Sequence, residues 1–133
     1  MTNDLVRGVV VAHAELAHAL VSAVETVSGV TGTLRAVDNQ GLGPDELAEA
    51  IGEAAGGARA ILFADLAGGS CALASLRHLR TSRDCACITG VNLPMLLDFV
   101  FHREMPIEAL VPRLLRKGQS GQRAHAPPAA GTD

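Results

Sequence analysis

The chain has 133 residues, of which 48% are hydrophobic, and its 11 basic and 14 acidic side chains give a net charge of −3 with neutral histidines. This length suits a single domain that buries one core. The negative charge argues against a basic surface that binds duplex nucleic acid. The lack of Trp and Tyr argues against an aromatic platform that stacks single-stranded bases. We therefore expect no nucleic-acid partner.

Targeting and redox signals are also weak. The first four residues carry no basic region before the apolar stretch, so they do not resemble a signal peptide, and no apolar run is long enough to span a membrane. We therefore expect a cytoplasmic protein with no membrane insertion. The three cysteines are an odd number, which favours free thiols, and Cys85-Ala86-Cys87 lacks the spacing of a metal site.

Apolar runs alternate with helical periods along the first half of the chain. Residues 5–12 form a continuous apolar run that predicts a buried strand. Apolar residues at i, i+3, i+4 and i+7 then predict a helix over 16–27. A second strand is expected over 30–37, and a second helix over 44–55, where Gly56-Gly57 ends it.

The second half repeats this alternation and ends in a polar segment. A third strand is predicted over 59–64 and a fourth over 85–89, separated by a helix that begins at Ser70 as its N-cap and runs to about Arg80. Apolar periodicity then predicts two last helices, with apolar positions at 93–101 and 107–115. Pro112 should distort the last helix or move its start to a later residue. From Gly118 onward the composition predicts a flexible tail.

Strands that alternate with helices and are apolar throughout indicate an α/β fold, with a doubly wound, mainly parallel four-stranded sheet covered by helices on both faces. The expected strand order is 2-1-3-4. Neither a Gly-x-Gly-x-x-Gly turn after the first strand nor a Walker loop occurs in the sequence, so a dinucleotide or P-loop nucleotide site is not expected.

The candidate site combines residues that follow strands one and three. His13 can act as a nucleophile near neutral pH, and Asp65 can orient its imidazole if the two strands are neighbours. Gly68, Gly69 and Ser70 lie at a helix N-terminus, where backbone N–H groups bind phosphate. Each of these residues also has a plain structural interpretation, as a turn or cap residue, but all of them are expected at one edge of the sheet.

Three segments then resemble one known family. They are Val-Val-Val-Ala-His at 9–13, Asp-Leu-Ala-Gly-Gly-Ser at 65–70 and Gly-Val-Asn-Leu-Pro-Met-Leu at 90–96. Together they are similar to the mannose-family EIIA domain of the bacterial phosphoenolpyruvate:sugar phosphotransferase system. The resemblance covers residues 5 to about 117, which indicates a domain over 1–117 and a tail over 118–133.

The resemblance implies a phosphocarrier. His13 would accept a phosphoryl group from phospho-HPr and pass it to a histidine of an EIIB partner, with Asp65 as its hydrogen-bonded partner and Ser70 near the phosphoryl group. No cofactor and no metal are implied, and a homodimer is expected. Two other roles stay open: a regulatory module controlled by phosphorylation of His13, and the phosphocarrier subunit of a dihydroxyacetone kinase.

The chain departs from the family pattern at three places. Ala14 stands where the family has Gly after the histidine, and Cys71 stands where Pro usually follows Gly-Gly-Ser. Family dimers often exchange a C-terminal strand, but the matching stretch here, 118–126, is rich in Gly and polar residues and has poor strand propensity.

Overall fold

The computed structural model describes residues 5–129 and has one parallel sheet of four strands in the order β2-β1-β3-β4. This order confirms the predicted fold class. Residues 1–4, on which the signal-peptide prediction rests, and residues 130–133 of the predicted tail lie outside the described residues. The elements in chain order are β1 (Arg7–Ala12), α1 (Leu16–Ser28), β2 (Leu34–Asp38), α2 (Pro44–Ala55), β3 (Ala60–Ala64), α3 (Ser70–Leu79), β4 (Cys85–Thr89), α4 (Leu93–Phe99) and α5 (Ile107–Ser120).

Strand β1 is central and pairs in parallel with both neighbours. Val11 lies opposite Val37 on β2 and Ala64 on β3. Because the strands are parallel and in this register, the chain leaves β1, β2 and β3 at the same edge of the sheet. This is the edge where open α/β sheets hold their ligands.

The two faces of the sheet are covered by different helices. On one face, Val10 and Ala12 of β1 pack in a core with α1, α4 and α5. On the other face, Val9 and Val11 pack in a smaller core with α2 and α3. All four of these β1 side chains are fully buried, as expected for a strand covered on both sides.

Helix α4 packs closely on β1 because Gly8 has no side chain. A Cβ atom at Gly8 would lie 2.5 Å from Leu34 Cδ2 and 2.6 Å from Phe99 Cε2. Phe99 also meets Phe63 of β3 edge-to-face, with ring centroids 5.1 Å apart. This arrangement anchors α4 over the middle of the sheet.

Three local predictions need correction. Strand β2 begins at Leu34 and not at residue 30, because Gly29 and Gly32 both have left-handed backbone angles that prolong the turn. Ser70 is the first residue of α3 and not its N-cap, which is Gly69. Helix α5 begins at Ile107, so Pro112 does not move its start to a later residue, and it continues through Pro112 to Ser120; the first residues assigned to the tail are therefore helical.

Residues 121–129 are exposed and add no helix or strand to the described part of the chain. Across residues 5–129, the helices are all too short or too polar to cross a bilayer.

Candidate active site

His13 and Asp65 meet where β1 and β3 end. Oδ2 of Asp65 accepts two hydrogen bonds from the same residue, one from the backbone N–H of His13 at 3.0 Å and one from the ring nitrogen Nδ1 at 2.9 Å. The side chain of His13 is 38% exposed, whereas that of Asp65 is only 9% exposed. The carboxylate therefore holds both the backbone and the ring of a histidine that solvent can reach.

The charge state of Asp65 determines the proton positions on His13. Burial by itself raises the pKa of Asp65, but the hydrogen bonds from the His13 backbone and ring, together with the charge of His13, lower that pKa below its ordinary value on balance. An ionised carboxylate can only accept hydrogen bonds. Nδ1 of His13 therefore carries a proton, and in the neutral imidazole Nε2 carries the lone pair.

The far edge of the imidazole faces the start of α3. A Cβ atom at Gly69 would lie 3.5 Å from both Cε1 and Nε2 of His13, and Gly69 has φ = +94°. Glycine adopts this backbone conformation readily and keeps the space beside Nε2 open. Gly68, Gly69 and Ser70 are exposed, and the first N–H groups of a helix have no partner within it. The start of α3 can therefore receive an anionic group beside Nε2.

Asn39, directly after β2, is a further residue of the site, and it was not predicted from the sequence. Its Oδ1 accepts a hydrogen bond from the N–H of Ala14 at 3.0 Å, and its Nδ2 donates to Oγ of Ser70 at 3.3 Å. Asn39 thus links the loop after β1 to the start of α3. The predicted order placed β2 beside β1, and that order was the signal which could have identified it.

A second histidine–carboxylate pair lies beside the first. Nδ1 of His18, on α1, hydrogen-bonds to Oδ2 of Asp38, the last residue of β2. The His18 side chain is 69% exposed and lies on the surface of α1. Its carboxylate partner was not predicted.

Cys71 is buried directly behind the pair formed by His13 and Asp65. It is fully buried at the second position of α3. Burial, together with the nearby charge of Asp65, raises the pKa of its thiol to about 11. Cys85 and Cys87 are partly buried free thiols that pack on the same face of the sheet as Cys71.

The segment around Asn92 has a structural role away from His13. Oδ1 of Asn92 accepts a hydrogen bond from the N–H of Met95 and so caps α4, while Nδ2 donates to the carbonyl of Gly118 on α5 at 2.9 Å. A Cβ atom at Gly118 would lie 2.8 Å from Cε of Met95. The segment therefore joins α4 to α5.

A parallel sheet in the order 2-1-3-4, with polar side chains gathered where its central strands end, defines an α/β protein with a candidate site at the switch point. Residues 8–113 match the model of the family EIIA-man, described as the PTS system fructose IIA component. The chain belongs to this family, which confirms the resemblance seen in the three sequence segments. Family membership supports a phosphocarrier role in the phosphotransferase system.

Solved structures share this fold at low sequence identity. Phosphotransferase system component EIIA from Streptococcus agalactiae is 20% identical with a TM-score of 0.84, and the match covers 90% of this chain and 97% of that one. The mannose/sorbose specific IIA subunit from Enterococcus faecalis is 18% identical with a TM-score of 0.79, over 94% and 98% of the two chains.

The same fold occurs in a protein described in other terms. A sigma-54 interaction domain protein from Enterococcus faecalis is 14% identical with a TM-score of 0.74, over 90% of this chain and 95% of that one. A search of curated protein sequences finds no significant match.

Proposed function

We propose that this protein is a phosphohistidine carrier that accepts a phosphoryl group from phospho-HPr on Nε2 of His13 and passes it to an EIIB partner for sugar uptake. The observation that carries the proposal is the bond from Nδ1 of His13 to Asp65, which leaves Nε2 beside the start of α3. Membership of the EIIA-man family supports the same assignment.

The transfer needs no proton to leave the histidine. The lone pair of Nε2 attacks phosphorus, and the bond from phosphorus to the donor nitrogen breaks. Nδ1 keeps its proton, so the phosphorylated ring becomes a cation that faces the Asp65 carboxylate. The N–H groups near Gly68, Gly69 and Ser70 receive the phosphoryl oxygens. Catalysis then comes from positioning and electrostatics, and the proposed step uses neither a metal nor a cofactor.

The partners and the compartment belong to the same proposal. Phospho-HPr is the donor, an EIIB protein is the acceptor, and transfer between them takes place in the cytoplasm. We also propose a homodimer as the working assembly, on the basis of the family.

The test is labelling of the full chain from phosphoenolpyruvate, Enzyme I and HPr. We expect an acid-labile, base-stable phosphate on the wild-type protein and none on His13→Ala, whose fold should persist because His13 lies in a loop. His125→Ala is the matched control, since His125 lies in the exposed segment after α5, and it should label normally. Label on His13→Ala protein at the wild-type level would show that the assignment is wrong.

A regulatory role is the second candidate, and the similarity in fold to a sigma-54 interaction domain protein favours it. In that role, phosphorylation of His13 would control another protein by binding, with no onward transfer. Adding a mannose-type EIIB protein to the labelled chain separates the two functions. Loss of label to EIIB supports sugar transport, whereas stable label in its presence supports regulation.

A further inference from the structure

The residues around His13 also form a set of potential metal ligands. One ring nitrogen of His13, one carboxylate oxygen of Asp65 and Sγ of Cys71 lie within 4.8 Å of one another. In a tetrahedral zinc site with ordinary bond lengths, ligand atoms lie about 3.5 Å apart. Side-chain shifts of about 1 Å therefore bring the three atoms to zinc-binding distances.

An independent feature of Asp65 also points to a cation at this cluster. Oδ2 accepts both hydrogen bonds from His13, whereas Oδ1 is buried and has no hydrogen-bond partner within residues 5–129. The side chain as a whole is 91% buried, given its 9% exposure. A buried carboxylate oxygen without a partner is costly, and a cation bound there would satisfy it.

We propose that this cluster binds one Zn²⁺ ion through His13, Asp65 and Cys71, and that the bound ion blocks phosphorylation. Nitrogen, carboxylate and sulfur ligands suit zinc, whereas Mg²⁺ and Ca²⁺ prefer oxygen ligands alone. The exposed side of His13 leaves a fourth position for water. Binding of zinc is independent of the proposed function. The block of phosphorylation rests on the proposed function, because the ion would occupy either the lone pair of His13 or the Asp65 carboxylate that orients the His13 ring.

Zinc binding is tested first, by titrating the metal-free full chain with Zn²⁺ in competition with a chromophoric chelator. We expect one tightly bound ion per wild-type chain and affinity lower by on the order of 100-fold in Cys71→Ala. His13→Ala, a change in an exposed loop, should also bind zinc more weakly. Circular dichroism checks that each variant is folded.

The control removes the other two thiols. Cys85 and Cys87 lie on the same face of the sheet, so a variant with both Cys85→Ala and Cys87→Ala shows whether zinc binds there instead. This double variant should keep the wild-type affinity for zinc. Unchanged affinity in Cys71→Ala, or loss of affinity in the double variant alone, would overturn the proposal.

The block is then measured with purified phospho-HPr as donor, so that zinc does not act on Enzyme I. Saturating zinc should slow labelling of the wild type by at least about tenfold, which corresponds to 1.4 kcal/mol, and a zinc-selective chelator should restore the rate. Cys71→Ala, compared with its own zinc-free rate, should respond little. If the wild type were labelled at its full rate with zinc bound at Cys71, zinc would not block phosphorylation. If the zinc-free wild type were not labelled, that result would count against the proposed function alone.

Discussion

At the scale of single residues, the candidate site depends on one oxygen atom. Oδ2 of Asp65 accepts both hydrogen bonds from His13. The same oxygen therefore fixes the position of the His13 backbone and the orientation of the His13 ring. The lowered pKa of Asp65 keeps this oxygen an acceptor at neutral pH. Asp65 thereby acts as a positioning residue for His13 in the proposed transfer.

Replacing Asp65 by Asn keeps the shape of the side chain and removes its charge. We expect Asp65→Asn to slow transfer from phospho-HPr about 10²-fold, as for other lost orienting or acid–base partners. Labelling reactions quenched at successive times measure the rate, and ¹⁵N chemical shifts of the His13 ring report its tautomer. A zinc-selective chelator added to zinc-free wild-type protein should leave its rate unchanged, since the step uses no metal. A normal rate together with a normal His13 tautomer in the variant would remove Asp65 from the mechanism.

Ala14 carries backbone strain that a glycine would relieve. Its φ of +53° lies in the left-handed region, which costs a residue with a side chain about 1–2 kcal/mol. Glycine loses part of that advantage through its greater freedom in the unfolded chain. We therefore expect Ala14→Gly to raise the free energy of unfolding by about 0.5–1 kcal/mol, as measured in urea.

The control for Ala14 is the same change inside a helix. Ala19 lies on the exposed side of α1, where Ala19→Gly should cost about 1 kcal/mol. The two substitutions should thus have opposite signs. If Ala14→Gly lowered the stability as well, the strain assigned to Ala14 would not be real.

At the scale of elements, α4 and α5 are joined by a charged pair near the main core. Nε of Arg113 donates to Oδ2 of Asp98 at 2.7 Å, and a second guanidinium nitrogen donates to Oδ1 at 3.0 Å. The Asp98 side chain is only 10% exposed. Burial alone raises the pKa of Asp98, but the bonds from Arg113 and the charge of His102 lower it on balance.

This lowered pKa makes the pair sensitive to acid. The stabilisation by Asp98 is fully present above the unfolded-state pKa of about 4 and is lost as the pH falls through the lower folded-state pKa. We expect Asp98→Asn to be less stable than the wild type at pH 7 and this difference to shrink below pH ~4. Urea unfolding at several pH values measures it.

A surface pair provides the comparison. Asp45 and Arg77 are 2.9 Å apart, but their side chains are 89% and 56% exposed, and exposed pairs contribute little. Asp45→Asn should change the stability much less than Asp98→Asn at every pH. A difference between wild type and Asp98→Asn that stays constant with pH would contradict the role of the Asp98 charge.

The elements followed from the sequence more completely than their ends did. Continuous apolar strands and helical periodicity are local signals, and they were sufficient to predict a parallel sheet with helices on both faces. The contact of Asn39 with Ala14 and Ser70 depends on how three strand ends meet, which no local pattern encodes. Ser70 is a common N-cap residue, yet the N-cap of α3 is the residue before it, Gly69, which has φ = +94°.

At the scale of the whole molecule, the sheet ends at β4 on one side. The segment 121–129 adds no strand there within the described residues. Gly118, Gln119 and Ser120, which begin the stretch where the family often exchanges a strand, belong to α5 instead. We therefore expect a dimer of this protein to form through contacts other than an exchanged tail.

This arrangement leads to a prediction about assembly. We expect light scattering to show a dimer for the full chain and the same dimer after removal of residues 121–133, which leaves α5 intact. A truncated protein that became monomeric would indicate exchange through the tail. A monomeric full-length protein would contradict the homodimer itself.

The hydrogen bond between His13 and Asp65 joins residues 52 positions apart, and this separation has a consequence during synthesis. His13 leaves the ribosome early, but its carboxylate follows only with β3, and the amides of α3 emerge later still. In a partly synthesised chain, the His13 imidazole therefore lacks both the carboxylate that orients it and the backbone N–H groups that would receive the phosphoryl oxygens. Competence for phosphoryl transfer comes only with long-range pairing of β1 and β3, so the fraction of molecules that take up label measures how many have completed their fold.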